Sequence, residues 1–358
     1  MILTYKYRLK DRSARKALLR HAWAVNQVWN FCVETQRKSE QLWKQGSANA
    51  HWLSNYDLQN LAAGSSKELG LHSKSIGEVC RVFSKARDKK RAAPAFRVSI
   101  GSRRSLGWVP LRASVSLKID DNSVIYLGKR YRFFGAHRRT LPAVVKSGCF
   151  KQDPRGRWYI CFAVEVEENR LTGGGEIGID LGLKTLAVTS EGESVAHLQH
   201  YRHYQKALAK AQRAGNKKRV AAIHAKIANA RTDHHHKATT KIARENKLIV
   251  VGDVSAAKMK KTRMAKSVSD AGWSQFKAML EYKAGLHRAT FEVVNENWTS
   301  VSCSSCGARS GPQGQKGLRI REWICGACGS VHDRDINAAK NILALSAQRH
   351  GDESRRAA

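Results

Sequence analysis

The sequence predicts a chain of α/β class with a second, mainly β part. A small β-barrel or sandwich, interrupted by a helical insertion, is followed by an α/β domain interrupted by a metal-binding insert. Three observations predict it. Apolar residues recur at three- and four-residue steps over 12–45, then alternate with polar ones over 101–168. From 176 onward, short apolar strands succeed helical stretches. Two Cys-x-x-Cys pairs, Cys303/Cys306 and Cys325/Cys328, each followed by a glycine (Gly307, Gly329), then open into an amphipathic run from His332 to Leu343.

Taken in order, Met1 to Leu9 is a strand. Leu18, Ala22, Val25, Trp29 and Val33 mark the helix over 12–45, with Arg12, Arg15, Lys16 and Arg20 crowding its first turns. Residues 46–100 are less regular. They hold a helix near 74–90 (Ile76, Val79, Cys80, Phe83) and end in a basic run, 87–91, suited equally to solvent and to phosphate. Strand alternation follows at Val115, Leu117 and Ile119, with a turn at Asp120-Asp121-Asn122 and a return at 124–127. Residues 143–151 and 157–167 form a hairpin around Asp153-Pro154-Arg155-Gly156, with Trp158, Ile160, Phe162, Val164 and Val166 on one face. Trp23, Trp29 and Trp43 are expected in the core.

Leu171 to Gly175 is a flexible boundary. Residues 176–198 make a three-strand meander, and a basic helical hairpin follows, broken at Gly215-Asn216. One arm carries Leu198, Tyr201, Leu208 and Ala211; the other carries Val220, Ile223, Ile227, Ala230, His234, Ala238 and Ile242. Asp233-His234-His235-His236 splays around a helix, so His234 is expected to pack rather than bind metal. Leu248–Val251 is a buried strand, and 255–272 a lysine-rich loop. A helix on Trp273, Phe276, Leu280 and Ala284 leads to strand Thr290–Val294. The succession β-β-β-α-β-α-β-(insert)-α is that of a ribonuclease-H-like fold. The polar tail from Ser346 is expected to be disordered.

Charge narrows the partner. The 64 Lys+Arg against 29 Asp+Glu leave a net +35, which a polyanion must neutralise. The basic residues are spread along the chain rather than beside an apolar anchor, and no apolar run is long enough to span a bilayer, so nucleic acid is expected and membrane is not. No signal peptide is recognised. Cys32, Cys80, Cys149 and Cys161 lie among apolar neighbours and are expected to be reduced core thiols of a cytoplasmic protein. Thiolates at i and i+3 can share one tetrahedral ion, so Cys303, Cys306, Cys325 and Cys328 point to structural Zn²⁺. Two disulfides are the competing reading.

Asp180 interrupts an apolar strand between Gly178 and Gly182, where a carboxylate is costly unless ion-paired or holding a metal; a solvent-facing strand end is the alternative. Asp335 is the carboxylate to meet it, because Asp333 competes for the helix cap. Two such groups can hold Mg²⁺, and a third would suit two ions in an in-line phosphodiester displacement.

Gly178-Ile179-Asp180-Leu181-Gly182, the four cysteines and Asp333-Arg334-Asp335-Ile336-Asn337-Ala338-Ala339-Lys340-Asn341-Ile342 resemble the TnpB (OrfB) proteins of bacterial insertion sequences. These are transposon-encoded RNA-guided DNA endonucleases related to type V CRISPR effectors. Tyr5-Lys6-Tyr7-Arg8-Leu9, Gly156-Arg157-Trp158-Tyr159 and Thr299-Ser300 extend the likeness over nearly the whole chain. The resemblance implies a wedge-type β-barrel (1–11 and 101–170) holding a helical recognition insert (12–100). It also implies a split RNase H-like (RuvC) nuclease domain (171–300 and 331–345), a zinc-ribbon insert (301–330) and a tail (346–358). It further implies guide RNA and target DNA as partners, catalytic Mg²⁺, and the first and third RuvC aspartates at Asp180 and Asp335.

The middle motif departs. Where the family carries Glu-Asp, this chain has Gly252-Asp253. Three readings stand. Asp253 substitutes, against the alternation of side chains along a strand. Glu296 reaches across from the neighbouring strand end, about 5 Å away. Or there is no third carboxylate, and the protein is a nuclease-inactive, RNA-guided DNA-binding repressor. An RNA-independent accessory protein of the transposon is a weaker third function. No residues suit tyrosine-recombinase or relaxase strand transfer. Lys184 and Thr185 are candidate phosphate contacts, with a solvated turn as the alternative; the lysine-rich loop 258–266, flanked by Gly252 and Gly272, is a candidate to order over the site when DNA binds, with a bare flexible loop as the alternative.

Overall fold

The computed structural model describes residues 1–10, 14–47, 52–112, 118–120, 122–135, 144–167, 173–317 and 319–357. The expectations at Val115, Leu117, Leu171 and Thr172 lie outside them. Two compact units divide at residues 166–167.

In the first unit, β1 (Ile2–Arg8) leads to α1 (Ala14–Lys44), α2 (Asn55–Leu61), α3 (Ser66–Leu69) and α4 (Ser73–Lys90). The strands β2 (Trp108–Arg112), β3 (Lys118–Asp120), β4 (Ser123–Tyr126), β5 (Lys129–Arg132), β6 (Val145–Gln152) and β7 (Trp158–Glu165) follow. The region 46–100 is more helical than its irregular pattern suggested. Alongside α4, α2 starts at a capping box in which the Ser54 hydroxyl accepts from Asp57 N and the Asp57 carboxylate accepts from Ser54 N at 2.7 Å.

The strands pair as an antiparallel sheet, β1-β7-β6-β2, and a separate meander, β3-β4-β5, joined by a bridge between Leu9 and Phe133. Pro110, which has no N–H for a ladder, sits on the edge strand β2. Among the described residues the strands do not close, so the expected barrel is an open pair of sheets. Trp158, Ile160, Phe162 and Val164 face the core as their alternation predicted. There they join Leu18, Val25, Trp29, Val79 and Phe83 of the helices. Each such side chain contributes about 1.5–3 kcal/mol on burial. Of the three tryptophans placed in the core, only Trp29 is buried; Trp23 and Trp43 are 52% and 70% exposed.

The second unit starts with β8 (Gly175–Leu181), β9 (Thr185–Thr189) and β10 (Ser194–Ala196), then α5 (His200–Arg213), α6 (Lys217–Glu245) and β11 (Asn246–Gly252). It continues through α7 (Ala256–Met259), α8 (Ala265–Ala271), α9 (Trp273–Leu286), β12 (Thr290–Val294), α10 (Gly314–Gly317), β13 (Glu322–Ile324), β14 (Val331–Asp333) and α11 (Arg334–Ala357). The lysine-rich stretch expected as a loop therefore holds two short helices. The tail expected to be disordered continues α11, where Ser346 is buried and donates to Glu292 Oε2 at 2.7 Å. His235, not His234, is the packed histidine, set against Phe276; His234 Nε2 lies 2.8 Å from Ala196 O.

The sheet order is β10-β9-β8-β11-β12, with β8, β11 and β12 parallel. Alternation splits its faces. Ile177, Ile179, Leu181, Ile249 and Val251 pack with Trp273, Phe276 and Leu280 of α9. On the other face Val250 and Val294 meet Ile342 of α11. Gly178 lies on that second face, where a Cβ would run into Ala339 O, so its missing side chain lets α11 lie against β8. No helix among the described residues is long and apolar enough to cross a membrane.

Candidate active site and metal centre

Asp180 stands two residues beyond Gly178, so it shares the sheet face covered by α11. Asp335 opens that helix one turn before Ala339. Asp333 takes the cap, accepting from the N–H groups of Asp335 and Ile336 at 2.9 Å each, which frees the Asp335 carboxylate. Both Asp335 oxygens instead receive Arg321 Nη1 at 2.9 and 2.8 Å.

Gly252 pairs with Val294, so the ends of β11 and β12 lie side by side. Beyond Val294, the Glu296 side chain folds back over the glycine. A Cβ built at 252 would fall 2.5 Å from Glu296 Oε2 and 3.2 Å from Glu296 Cβ. The carboxylate of Glu296 thus stands in the space that a side chain at 252 would occupy. Its Oε2 is buried and has no hydrogen-bond partner. Asp253 comes one residue later and is exposed; its Oδ1 accepts the Glu296 N–H at 3.3 Å.

The electrostatics tie three of these groups together. Burial first, then the charges of Glu296 and Asp335, raise the Asp180 carboxyl to about 7 against the opposing Arg334 and Arg321. Burial, with the Asp253 charge, also raises Glu296. Asp253 does not figure among the charges acting on Asp180. An all-oxygen donor set with an unpartnered buried oxygen and mutual repulsion suits a hard cation. Among the described residues, however, only the four cysteines gather as a group of three or more ligands close enough to hold one ion. Lys184, a candidate phosphate contact, is exposed in the turn after β8.

The four Sγ atoms of Cys303, Cys306, Cys325 and Cys328 lie within 4.8 Å of one another. Cys303–Cys328 and Cys306–Cys325 are 3.7 and 3.6 Å apart. Bonds of about 2.3 Å to one tetrahedral zinc set sulfurs about 3.8 Å apart, so the set fits that ion. β13 and β14 pair antiparallel beside it.

Residues outside the sequence's candidate set support the cluster. His332, fully buried against Trp323, brings Nε2 to 3.0 Å from Cys303 Sγ, the outer-shell position from which a ring N–H orients a thiolate. Asn337 accepts from Ser304 N at 2.8 Å and donates to Ser302 O at 2.7 Å; Asn341 donates to Thr299 O and Ser302 O, both at 2.7 Å. Their i, i+4 spacing on a helix next to a cysteine knuckle was the available signal.

Residues 159–263 match the family OrfB_IS605, described as "Probable transposase", and residues 273–342 match the Cas12f1-like TNB domain. A Streptomyces pristinaespiralis protein, provisionally named an RNA-guided DNA endonuclease, is 36% identical over 222 residues, which cover 56% of this chain and 53% of its own. The similarly named InsQ of Escherichia coli K12 is 26% identical over 383 aligned residues, covering 95% of this chain and 91% of its own. The chain therefore spans about half the length of the first relative and nine-tenths of the second. A cryo-EM structure of a Cas12f1–sgRNA–target DNA complex aligns over 96% of this chain and 99% of its own at 14% identity, with a TM-score of 0.39, too low to argue from.

Proposed function

We propose that the chain is a protein of the TnpB (OrfB) type, related to the type V effectors, that binds a guide RNA and cleaves target DNA at a RuvC site made of Asp180, Glu296 and Asp335. The observation that carries this reading is the Glu296 carboxylate lying over Gly252, on the sheet face that bears Asp180 and is covered by the helix that Asp335 opens. Glu296, rather than Asp253, then takes the place of the absent middle-motif glutamate.

Mg²⁺ held by Asp180, Glu296 and Asp335 would activate a water and neutralise the leaving oxygen. The chain's own groups do the rest. Asp180, neutral or charged near pH 7, ionises fully once a cation offsets its neighbours. The net +35 attracts the RNA and its heteroduplex through their backbones, leaving sequence to base pairing. Cys303, Cys306, Cys325 and Cys328 would hold Zn²⁺, which would brace the insert from which Arg321 reaches Asp335.

One observation favours the second reading, an RNA-guided DNA-binding repressor that does not cut. Arg321 engages both oxygens of Asp335, which neutralises a carboxylate the cleavage reading needs. The deciding experiment incubates the purified ribonucleoprotein with matched DNA and Mg²⁺. Cutting that is lost in Asp180→Ala supports the nuclease; tight DNA binding with no cutting by the unaltered protein supports the repressor. Cutting that survives Asp180→Ala removes the proposed site.

A further inference from the structure

Cys149 and Cys161 face each other across β6 and β7. Residues opposed in an antiparallel ladder stand about 4.5–5.5 Å apart at Cα, inside the span of about 4.4–6.8 Å that a disulfide bridges. Neither thiol is in a disulfide.

Their surroundings differ from those of a core cysteine. Phe150, Ile160 and Phe162, the sequence neighbours, are buried in the core at 0% exposure, so alternation sends Cys149 and Cys161 to the outer face of the sheet. Cys149 is partly exposed there and is the side from which a dissolved disulfide reaches the pair, while Cys161 beside it is buried at 8% exposure. Lys6 is opposite Cys161 on β1, with its Nζ over the Tyr159 ring, and Lys151 is two residues beyond Cys149. The hydrogen bond from Cys149, aided by the Lys6 and Lys151 charges, brings Cys161 down to about 7 against the pull of desolvation; Cys149 is raised in turn. Thiolates in such basic settings are the reactive ones.

The second pair in this unit is an internal contrast. Cys32 and Cys80 have their sulfurs 3.8 Å apart but are both wholly buried between α1 and α4, out of reach of a dissolved oxidant.

We propose that Cys149 and Cys161 are a dithiol modification site, reversibly oxidised to a cross-strand disulfide by small disulfides of the glutathione type. The Cys161 thiolate attacks one sulfur of the oxidant RSSR, forming a mixed disulfide and expelling RS⁻, which takes up a proton. Cys149 then loses its proton, attacks the Cys161 sulfur and expels the second RS⁻. Two electrons and two protons leave the pair, and two RSH are formed.

The test uses the full, zinc-loaded chain incubated with oxidised glutathione, alkylated, digested with trypsin and analysed by mass spectrometry. The expected product is one peptide pair joining residues 147–151 to 158–170, formed nearly stoichiometrically and abolished by reduction. In Cys149→Ser, where no resolving thiol remains, a glutathione adduct should stay on Cys161. The proposal is overturned if Cys149 and Cys161 are both recovered alkylated after exposure. It is equally overturned if Cys32 and Cys80 bridge first, or if the adduct in Cys149→Ser sits on Cys32, Cys80 or the zinc-site cysteines rather than on Cys161.

Discussion

Moving the middle carboxylate from one strand end to the other tests the candidate site most directly. Glu296→Ala should remove one of three oxygen ligands. If that ligand supplies about 3–4 kcal/mol of transition-state stabilisation, the cleavage rate falls by roughly 10²–10³-fold. The structure also defines a rescue. A Cβ at 252 would lie 2.5 Å from the present position of Glu296 Oε2. In an aspartate, the bonds from Cβ to a carboxylate oxygen, about 1.5 and 1.2 Å long at a trigonal angle, span about 2.4 Å. Gly252→Asp combined with Glu296→Ala therefore returns an oxygen to nearly the same point, and the alanine removes the 2.5 Å contact that Gly252→Asp alone would meet, leaving the two Cβ atoms 3.2 Å apart to ease by a few tenths of an ångström. The double variant should recover at least tenfold over Glu296→Ala. The assay is Mg²⁺-dependent cutting of a labelled target by ribonucleoprotein, with gel-shift binding of the same target as the folding control. A Glu296→Ala protein cutting at the original rate, or a double variant that binds DNA normally yet stays as slow as the single, would refute the reasoning. Asp253→Ala serves as the comparison and should cut within a few-fold of the original.

Three other measurements follow from the same geometry. The Asp180 carboxyl, raised to about 7, makes the folded state bind a proton that the unfolded chain releases near 4, so its ionisation costs stability as pH rises from 4 to 7. Without added divalent cation, Asp180→Asn should therefore raise the Tm clearly more at pH 8 than at pH 5, where only the first part of that cost has built up; an equal effect at both would contradict this. Asn337→Ala strips partners from a fully buried amide and leaves the Ser304 N–H without its acceptor, so it should cost about 2–3 kcal/mol and speed zinc loss to a chromophoric chelator. Cys325→Ser should lower bound zinc below one per chain by atomic absorption and destabilise the insert, whereas Cys32→Ser should leave zinc content unchanged.

Much of this protein could be read before any coordinates. Alternation and helical stepping identified β1, α1, α4, β7 and, in the second unit, β8 to β12, α5, α6, α9 and the start of α11, because those patterns report which face of an element is buried. The four cysteines and the Asp333-Arg334-Asp335 run were legible because metal ligation and helix capping are local chemistry. The α2 and α3 helices, and the short helices α7 and α8, were not, since four to seven residues carry too few turns to show a period. The open sheets in place of a barrel, and exposed Trp23 and Trp43, were decided by long-range pairing and by which surfaces found partners.

The contrast is sharpest at Gly252. From the sequence, the resemblance to TnpB proteins implied a carboxylate missing at Gly252, and Asp253 and Glu296 were its possible replacements. Only the tertiary structure decided between their surroundings: β12 pairs in parallel with β11, and the chain beyond Val294 turns back, so Glu296 fills the volume that glycine leaves empty. Asp253, one residue out of phase, is left in solvent. Which side chain occupies a vacant volume depends on the register of strands more than forty residues apart, and no pattern along a single strand contains that information.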